Sequence, residues 1–138
     1  MARSRGGLAR WALQKAEEYL GSAQANIEAG RLFPAAEEVF RSVENSLEAL
    51  LYGRGVTRIE YPGSRGKFTG RLALQFLVRD NLVKTGVLEQ RVYDEYMRLA
   101  TDLHSAGYKP GTRFSVEELR DSLRFAEDLL TRARSVSL

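Results

Sequence analysis

The sequence predicts an all-α, up-and-down bundle of about five helices, formed as a single domain over residues 1–138. Apolar residues recur at three- and four-residue spacing along nearly the whole chain, which is the period of an amphipathic helix. Segments rich in glycine interrupt this pattern at intervals, and no stretch shows the alternation typical of a strand. A chain of 138 residues has the usual size of one domain.

The first two helices are predicted to form an antiparallel hairpin. Apolar spacing in the first helix stops at Gly30, and Pro34 suits the first turn of the second, where its missing N–H has no partner to lose. The second helix ends at Gly53, and the short connection favours antiparallel packing. Its apolar face consists of Ala36, Phe40, Val43, Leu47, Leu50 and Leu51.

Residues 53–66 are the most loop-like part of the chain. The segment 53–70 reads GRGVTRIEYPGSRGKFTG and contains five glycines. Glycine and arginine together allow a close, adaptable approach to phosphates, and the alternative is a solvated loop with incidental charge. The candidate nucleic-acid-binding residues here are Arg54, Arg58, Arg65, Lys67 and Arg71.

The pair Gly66-Lys67 resembles the end of an ATP-binding phosphate loop, but the rest of the pattern is absent. Tyr61 stands where the first glycine is required, and Phe68 replaces the hydroxyl that would hold magnesium. No buried strand is predicted before it, so an ATPase is excluded.

The remaining three helices are predicted over residues 67–84, from residue 88 to residue 104, and from Ser115 onwards. The third is apolar on more than one side, which predicts a central position in the bundle. Gly86 ends it, and GYKPGTR ends the fourth. Ser115 and Glu118 form a capping box at the start of the fifth helix. The core face of that helix is Val116, Leu119, Leu123, Ala126, Leu130 and Ala133.

The fourth helix carries two apolar stripes. At ~100° per residue, the core stripe consists of Leu88, Val92, Tyr96, Leu99 and Leu103. A second stripe is predicted on the far side and consists of Tyr93, Met97, Ala100 and His104. Large apolar residues outside a core often mark an interface, and Tyr and Met are enriched there. We therefore expect this face to pack against a second copy of the chain, forming a homodimer.

His104 is the only histidine, and it follows Arg98 after five intervening residues. The two lie about 120° apart around a helix, and their side chains are able to reach a common ligand. A two-fold axis would gather two copies of each in one cleft. The alternative is that Arg98 pairs with Asp94 or Asp102, while His104 caps the helix end.

The composition limits the classes of site. The chain has no cysteine, which excludes disulfides and thiolate metal sites. One histidine disfavours a zinc site unless two chains share it, so no metal and no cofactor are expected. No apolar run approaches the ~20 residues of a membrane span. The opening MARSRGG does not continue as a signal peptide, and a cytoplasmic protein without a membrane partner is expected.

Two long segments resemble HEPN domains. The first is KAEEYLGSAQANIEAGRLFPAAEEVFRSVENSLEALLYGRG, with its EAGR-type turn, alanines at the next helix start and the run VENSLEALL at residues 43–51. The second extends from Arg98 through Gly107 and Tyr108 to SVEELRDSLRFAEDLL. Together they span roughly residues 10 to 134.

This resemblance implies a possible activity at the Arg98/His104 pair. Many HEPN proteins are metal-independent endoribonucleases with an R-x(4–6)-H motif at a homodimer interface, and Arg98 to His104 satisfies that spacing. His104 would exchange a proton with the RNA 2′-hydroxyl or the leaving oxygen, because imidazole titrates near neutral pH. Arg98 would hold the phosphate, and the product would be a 2′,3′-cyclic phosphate.

The resemblance also leaves a non-catalytic alternative. The family often has Asn, Asp or His directly after the arginine, where this chain has Leu99. This departure counts against catalysis, because a polar neighbour there can orient the substrate. Inactive relatives serve as partners of small nucleotidyltransferases or as nucleotide-binding or RNA-binding modules. The first expectation is therefore a ribonuclease that acts as a toxin or in RNA processing, with an antitoxin as a further partner. The second is a non-catalytic module of the kind just described. The third is a helical dimer that binds RNA by charge alone.

Overall fold

The computed structural model describes residues 5–60 and 70–137. The described part contains five α-helices: α1 (Arg5–Glu28), α2 (Leu32–Gly53), α3 (Gly70–Val78), α4 (Gln90–Leu99) and α5 (Val116–Ser137). A π-helical turn extends α3 over Arg79–Val83, and another extends α4 over Ala100–His104, where a 3-10 turn (Ser105–Tyr108) follows. The described helices pack as an all-α bundle, which confirms the predicted fold class.

The hairpin of α1 and α2 is closed by a glycine turn. Gly30 has a φ of 76°, a left-handed conformation that glycine adopts without strain. Its N–H donates to the carbonyl of Ile27 at 3.0 Å, and the Arg31 N–H donates to the carbonyl of Asn26 at 2.8 Å. This is the Schellman pattern, which satisfies carbonyls at the end of a helix. Pro34 is the third residue of α2, within its first turn as predicted.

The central helix is α2, and the prediction that the third helix would be central is wrong. Fourteen of the 22 residues of α2 are buried, and it contacts α1, α3, α5 and the turn after α4. By contrast, α3 leaves Leu72 44% exposed. The sequence misleads because α2 buries polar residues on its remaining faces and so resembles an ordinary amphipathic helix. These residues are Ser42, Glu44, Asn45 and Ser46.

Small residues allow α1 to approach α2 closely. Four alanines of α1 are fully buried: Ala9, Ala12, Ala16 and Ala23. At the contact, the hydroxyl of Ser42 donates to the carbonyl of Ala16 at 2.8 Å. One buried polar group of α2 is thereby satisfied by the backbone of its neighbour, as burial requires.

The last helix begins where the capping box predicts. The Ser115 hydroxyl oxygen accepts a hydrogen bond from the backbone N–H of Glu118 at 3.1 Å, which satisfies one free donor of the first turn. Its predicted core residues from Leu119 to Ala133 are buried, and each buried leucine contributes roughly 1.5–3 kcal/mol of hydrophobic free energy. Within the described ranges, no helix is both long enough and apolar enough to cross a lipid bilayer.

Candidate functional site

His104 faces α2 because the end of α4 is a π-helical turn. In a continuous α-helix, residue 104 would lie about 140° around the axis from Leu99, away from the core. The turn Ala100–His104 has i to i+5 hydrogen bonds and so encloses one more residue. This extra residue rotates His104 toward the buried face that carries Leu99. The prediction that His104 lies on the far side of the helix is therefore wrong.

The His104 ring is held by one carboxylate and two aromatic rings. Its Nδ1 lies 3.0 and 3.1 Å from the two carboxylate oxygens of Glu37. Since a carboxylate only accepts hydrogen bonds, Nδ1 carries the proton in this contact. Phe40 stacks against the imidazole at 5.5 Å between centroids, and Tyr108 meets it edge-on at 5.3 Å. The His104 side chain retains 18% exposure.

Arg98 is bound to carboxylates of its own helix. Its Nε and Nη2 donate to the two oxygens of Glu95 at 2.5 and 2.7 Å, and its Nη1 donates to Asp102 at 2.9 Å. These hydrogen bonds raise the pKa of the Arg98 guanidinium further, and the bond from Arg98 lowers the pKa of the Glu95 carboxyl. The alternative pairing with Asp102 is present, whereas Asp94 accepts from Gln90 instead.

Within a single chain, Arg98 and His104 therefore do not contact the same residue. Arg98 contacts Glu95 and Asp102 along the exposed edge of the helix, and its side chain is 47% exposed. His104 contacts Glu37 on α2. Two changes would allow both residues to act in one cleft. Either a ligand displaces Glu95 and Asp102 from Arg98, or a second chain completes the site.

The predicted interface residues Tyr93, Met97 and Ala100 are half-buried and pack against the core of the same chain. The Tyr93 hydroxyl donates to the backbone carbonyl of Gln75 at 3.2 Å, and its ring meets Tyr96 edge-on at 6.0 Å. The stripe is thus partly covered within the chain rather than open on the far side. Its role in a homodimer stays a prediction.

The predicted nucleic-acid-binding residues do not form one basic surface in the described part. Arg54 is exposed just after α2, and Arg58 pairs with Glu60 at 3.3 Å. Arg71 points into a group of carboxylates and is only 37% exposed. Arg65 and Lys67 lie outside the described residues.

Sequence reasoning missed an ionic network between α2 and α3. Arg71 donates through Nε to both oxygens of Glu44, at 3.2 and 3.1 Å, and through Nη2 to Glu37 at 3.2 Å. The same Glu37 binds His104, so the network connects α2, α3 and the turn after α4. Phe40 lies beneath it, with the Arg71 guanidinium carbon 5.7 Å from its ring centroid.

Burial controls the charge of the carboxyls in this network. Glu44 is 8% exposed, and this burial raises its pKa to about 7 although Arg71 acts in the opposite direction. Burial also raises the pKa of Glu48, one turn further along α2. A carboxylic acid that titrates near neutral pH beside an arginine is a mark of functional sites. The available sequence signal was Glu37, Glu44 and Glu48 on a helix that also carries a long apolar stripe.

The described residues contain no cluster of three or more His, Cys, Asp or Glu side chains arranged to hold a metal ion. The described site supplies the imidazole of His104, the carboxyls of Glu37 and Glu44, and the guanidinium groups of Arg71 and Arg98. Such groups can transfer protons and bind anions.

Comparisons with known proteins identify the family. Neither the curated proteins nor the solved structures contain a significant match to this chain. The sequence model of the archaeal PaREP1/PaREP8 family matches residues 12–130, which begin within α1 and end within α5. Because this match covers most of the 138 residues, the chain belongs to the archaeal PaREP1/PaREP8 family.

Proposed function

We propose that this protein is a HEPN-type endoribonuclease that cleaves RNA without a metal ion, at a cleft between two copies of the chain. The observation that carries the proposal is the imidazole of His104, oriented by the Glu37 carboxylate at 3.0 Å. A common arrangement of a general base is a histidine whose Nδ1 donates to a carboxylate, so that Nε2 exchanges the proton with the substrate. Phe40 and Tyr108 restrain the plane of the ring.

The chemistry follows from this protonation state. With the proton on Nδ1, the lone pair of Nε2 accepts the proton of an RNA 2′-hydroxyl. The 2′-oxygen then forms a bond to the adjacent phosphorus while the bond to the 5′-oxygen breaks. The His104 of a second copy, in its protonated form, gives a proton to that leaving oxygen. The products are a 2′,3′-cyclic phosphate and a free 5′-hydroxyl.

Arg98 would bind the scissile phosphate after releasing its carboxylates. Its ion pairs with Glu95 and Asp102 are on the surface, with about half of the Arg98 side chain exposed. Exposed pairs contribute only ~0–1 kcal/mol each, so a phosphate held by two parallel N–H bonds can compete with them. The half-buried face of Tyr93, Met97 and Ala100 would pack against the second copy, which brings both Arg98 side chains to the cleft.

The test is cleavage of single-stranded RNA in EDTA. We expect the wild type to produce 2′,3′-cyclic phosphate ends and His104→Ala to lose roughly 10²–10⁴-fold in rate. Glu37→Gln should lower the rate while the fold is retained, and Arg98→Ala should raise KM and lower kcat. Arg91→Ala removes an exposed arginine of the same helix and is the control for charge. An inactive wild type, or full activity in His104→Ala, refutes the enzymatic proposal.

The second candidate is a non-catalytic HEPN module that partners a small nucleotidyltransferase, or binds nucleotide or RNA. The observation that favours it is that Arg98 already has two carboxylates as partners, three hydrogen bonds in all. Three of the five N–H donors of the guanidinium are thereby occupied before any phosphate binds, and Leu99 follows Arg98 instead of a polar residue. Co-purification with the product of a neighbouring nucleotidyltransferase gene, together with no RNA cleavage, would establish this alternative.

A further inference from the structure

The connection between the turn after α4 and the start of α5 holds an exposed aromatic ring beside His104. Tyr108 is 76% exposed, which is more than any other large apolar residue in the described part of the chain. Its ring centroid lies 5.3 Å from that of His104, at an interplanar angle of 77°. Most of the Tyr108 ring therefore faces solvent, next to the imidazole to which the proposed function assigns proton transfer.

The backbone of this connection is folded into successive turns. Ser105–Tyr108 is a 3-10 turn, and the N–H groups of Lys109 and Thr112 donate to carbonyls three residues earlier, at 3.0 and 3.2 Å. At the far end, Phe114 is buried and meets Phe33 edge-on at 5.5 Å. Tyr108 thus lies on a segment that has backbone hydrogen bonds along its length and is held at its end by the buried Phe114.

The same segment carries uncompensated positive charge. Between Leu103 and Val116 the sequence has no acidic residue. Lys109 and Arg113 are exposed, and neither has a carboxylate partner within residues 5–60 and 70–137. Arg58 and Arg71, by contrast, are both bound to glutamates. Lys109 and Arg113 are therefore basic groups, five and nine residues after His104, that no carboxylate of the described residues neutralises.

An exposed aromatic ring followed in sequence by free cations is a combination that proteins use to bind single-stranded nucleic acid. Each base has a face that can stack on an aromatic side chain, and basic groups follow the phosphates. Sequence-tolerant stacking of this kind is the common mode for unpaired RNA. We infer that residues 104–113 form a docking surface for single-stranded RNA, in which Tyr108 stacks on a base next to the scissile phosphate and Lys109 and Arg113 contact neighbouring phosphates. This inference rests on the proposed function for its ligand class.

The docking surface is tested with an oligonucleotide that resists cleavage. A 2′-O-methyl 12-mer with one 2-aminopurine cannot be cut by attack of its own 2′-oxygen, and stacking quenches the fluorescence of 2-aminopurine. We expect quenching with the full-length wild type and with Tyr108→Phe. Tyr108→Ala should lose the quenching and bind about 5- to 150-fold more weakly.

The phosphate contacts are tested by salt dependence. The double variant Lys109→Ala/Arg113→Ala should reduce the slope of log affinity against log salt by about 1.4, since each phosphate contact to a single strand contributes ~0.7. Arg10→Ala/Arg91→Ala removes two other exposed arginines and the same formal charge. This control should leave the slope and the quenching near wild-type values.

The outcomes separate this inference from the proposed function. Cleavage of unmodified RNA together with quenching that does not depend on Tyr108 refutes the docking surface and leaves the nuclease intact. Quenching that depends on Tyr108, without cleavage of unmodified RNA, supports the docking surface and refutes the nuclease. The docking surface is also refuted if the oligonucleotide does not bind, if both double variants change the slope equally, or if Tyr108→Ala dissociates a dimer in sedimentation, which would make Tyr108 a protein contact.

Discussion

Replacing Glu44 by glutamine tests whether burial or ion pairing controls the network between α2 and α3. The Glu44 carboxyl is 8% exposed and accepts two hydrogen bonds from Arg71. Burial nevertheless raises its pKa from 4.5 to about 7. The cost of removing the charge from water therefore exceeds the attraction of the arginine, as is common for buried ion pairs.

The sign of the effect on stability follows from proton binding. Between pH 4.5 and about pH 7 the folded chain keeps the Glu44 proton, whereas the unfolded chain has released it. Stability therefore falls as pH rises through this window, and the loss is complete above pH 7. At about 1.4 kcal/mol for each pH unit, this loss is on the order of 3 kcal/mol. The raised pKa of Glu48 acts in the same direction.

Glutamine keeps the shape of the side chain but cannot titrate. We expect Glu44→Gln to match the wild type in free energy of unfolding near pH 4.5 and to exceed it by up to about 3 kcal/mol near pH 8. This gain is already net of the attraction of Arg71, because the pKa of about 7 includes the lowering by that arginine.

The assay is urea unfolding followed by far-UV circular dichroism at intervals between pH 4.5 and pH 8. Glu28→Gln, at an exposed position of α1, is the matched control and should leave the pH slope unchanged. If Glu44→Gln keeps the wild-type slope, or is the less stable protein at pH 8, then the ion pair with Arg71 outweighs burial and the reasoning is wrong.

Four further substitutions test the packing, the helix cap and the turn of the bundle. Tyr96→Phe should raise the free energy of unfolding by ~1 kcal/mol, because the fully buried Tyr96 hydroxyl has no hydrogen-bond partner in the described structure; a lower thermal midpoint would reveal a partner. Ser115→Ala should cost ~1 kcal/mol in urea unfolding by removing the bond from the Glu118 N–H, and no change would mean that water replaces it. Gly30→Ala should lower the free energy of unfolding by ~1 kcal/mol, because φ at this position is 76°. Gly21→Ala, inside α1 with open space around it, should raise that free energy by ~0.5–1 kcal/mol. If urea unfolding gives changes of the same sign for the two variants, this account is wrong.

The helices and their core faces could be predicted because they depend on neighbours in sequence. The stripe of Leu88, Val92, Tyr96, Leu99 and Leu103 is buried as its spacing predicted, since apolar residues three or four apart lie on one side of a helix. The glycine stop at residue 30 and the cap at Ser115 follow from backbone conformations that few residue types favour. The pairing of Arg98 with Asp102 is equally local, four residues apart.

The candidate site could not be predicted in the same way because its contacts join distant parts of the chain. Glu37 and His104 are 67 residues apart, and Arg71 reaches Glu44 across 27. The π-helical turn after Leu99 changes the direction of His104, and uniform helical periodicity excludes such a turn by assumption. The central position of α2 was hidden for a related reason, because the buried Ser42 and Glu44 find their partners on other helices.

The sequence by itself determined that this chain forms helices, where most of them begin and end, and which of their faces are apolar. These properties arise from hydrogen bonds and side-chain spacing within a few residues. Only the tertiary structure decided that the lone histidine binds Glu37 and that Glu44 is buried enough for the pKa of its carboxyl to rise to about 7. Those properties depend on which surfaces exclude water when helices pack together, and local periodicity does not contain that information.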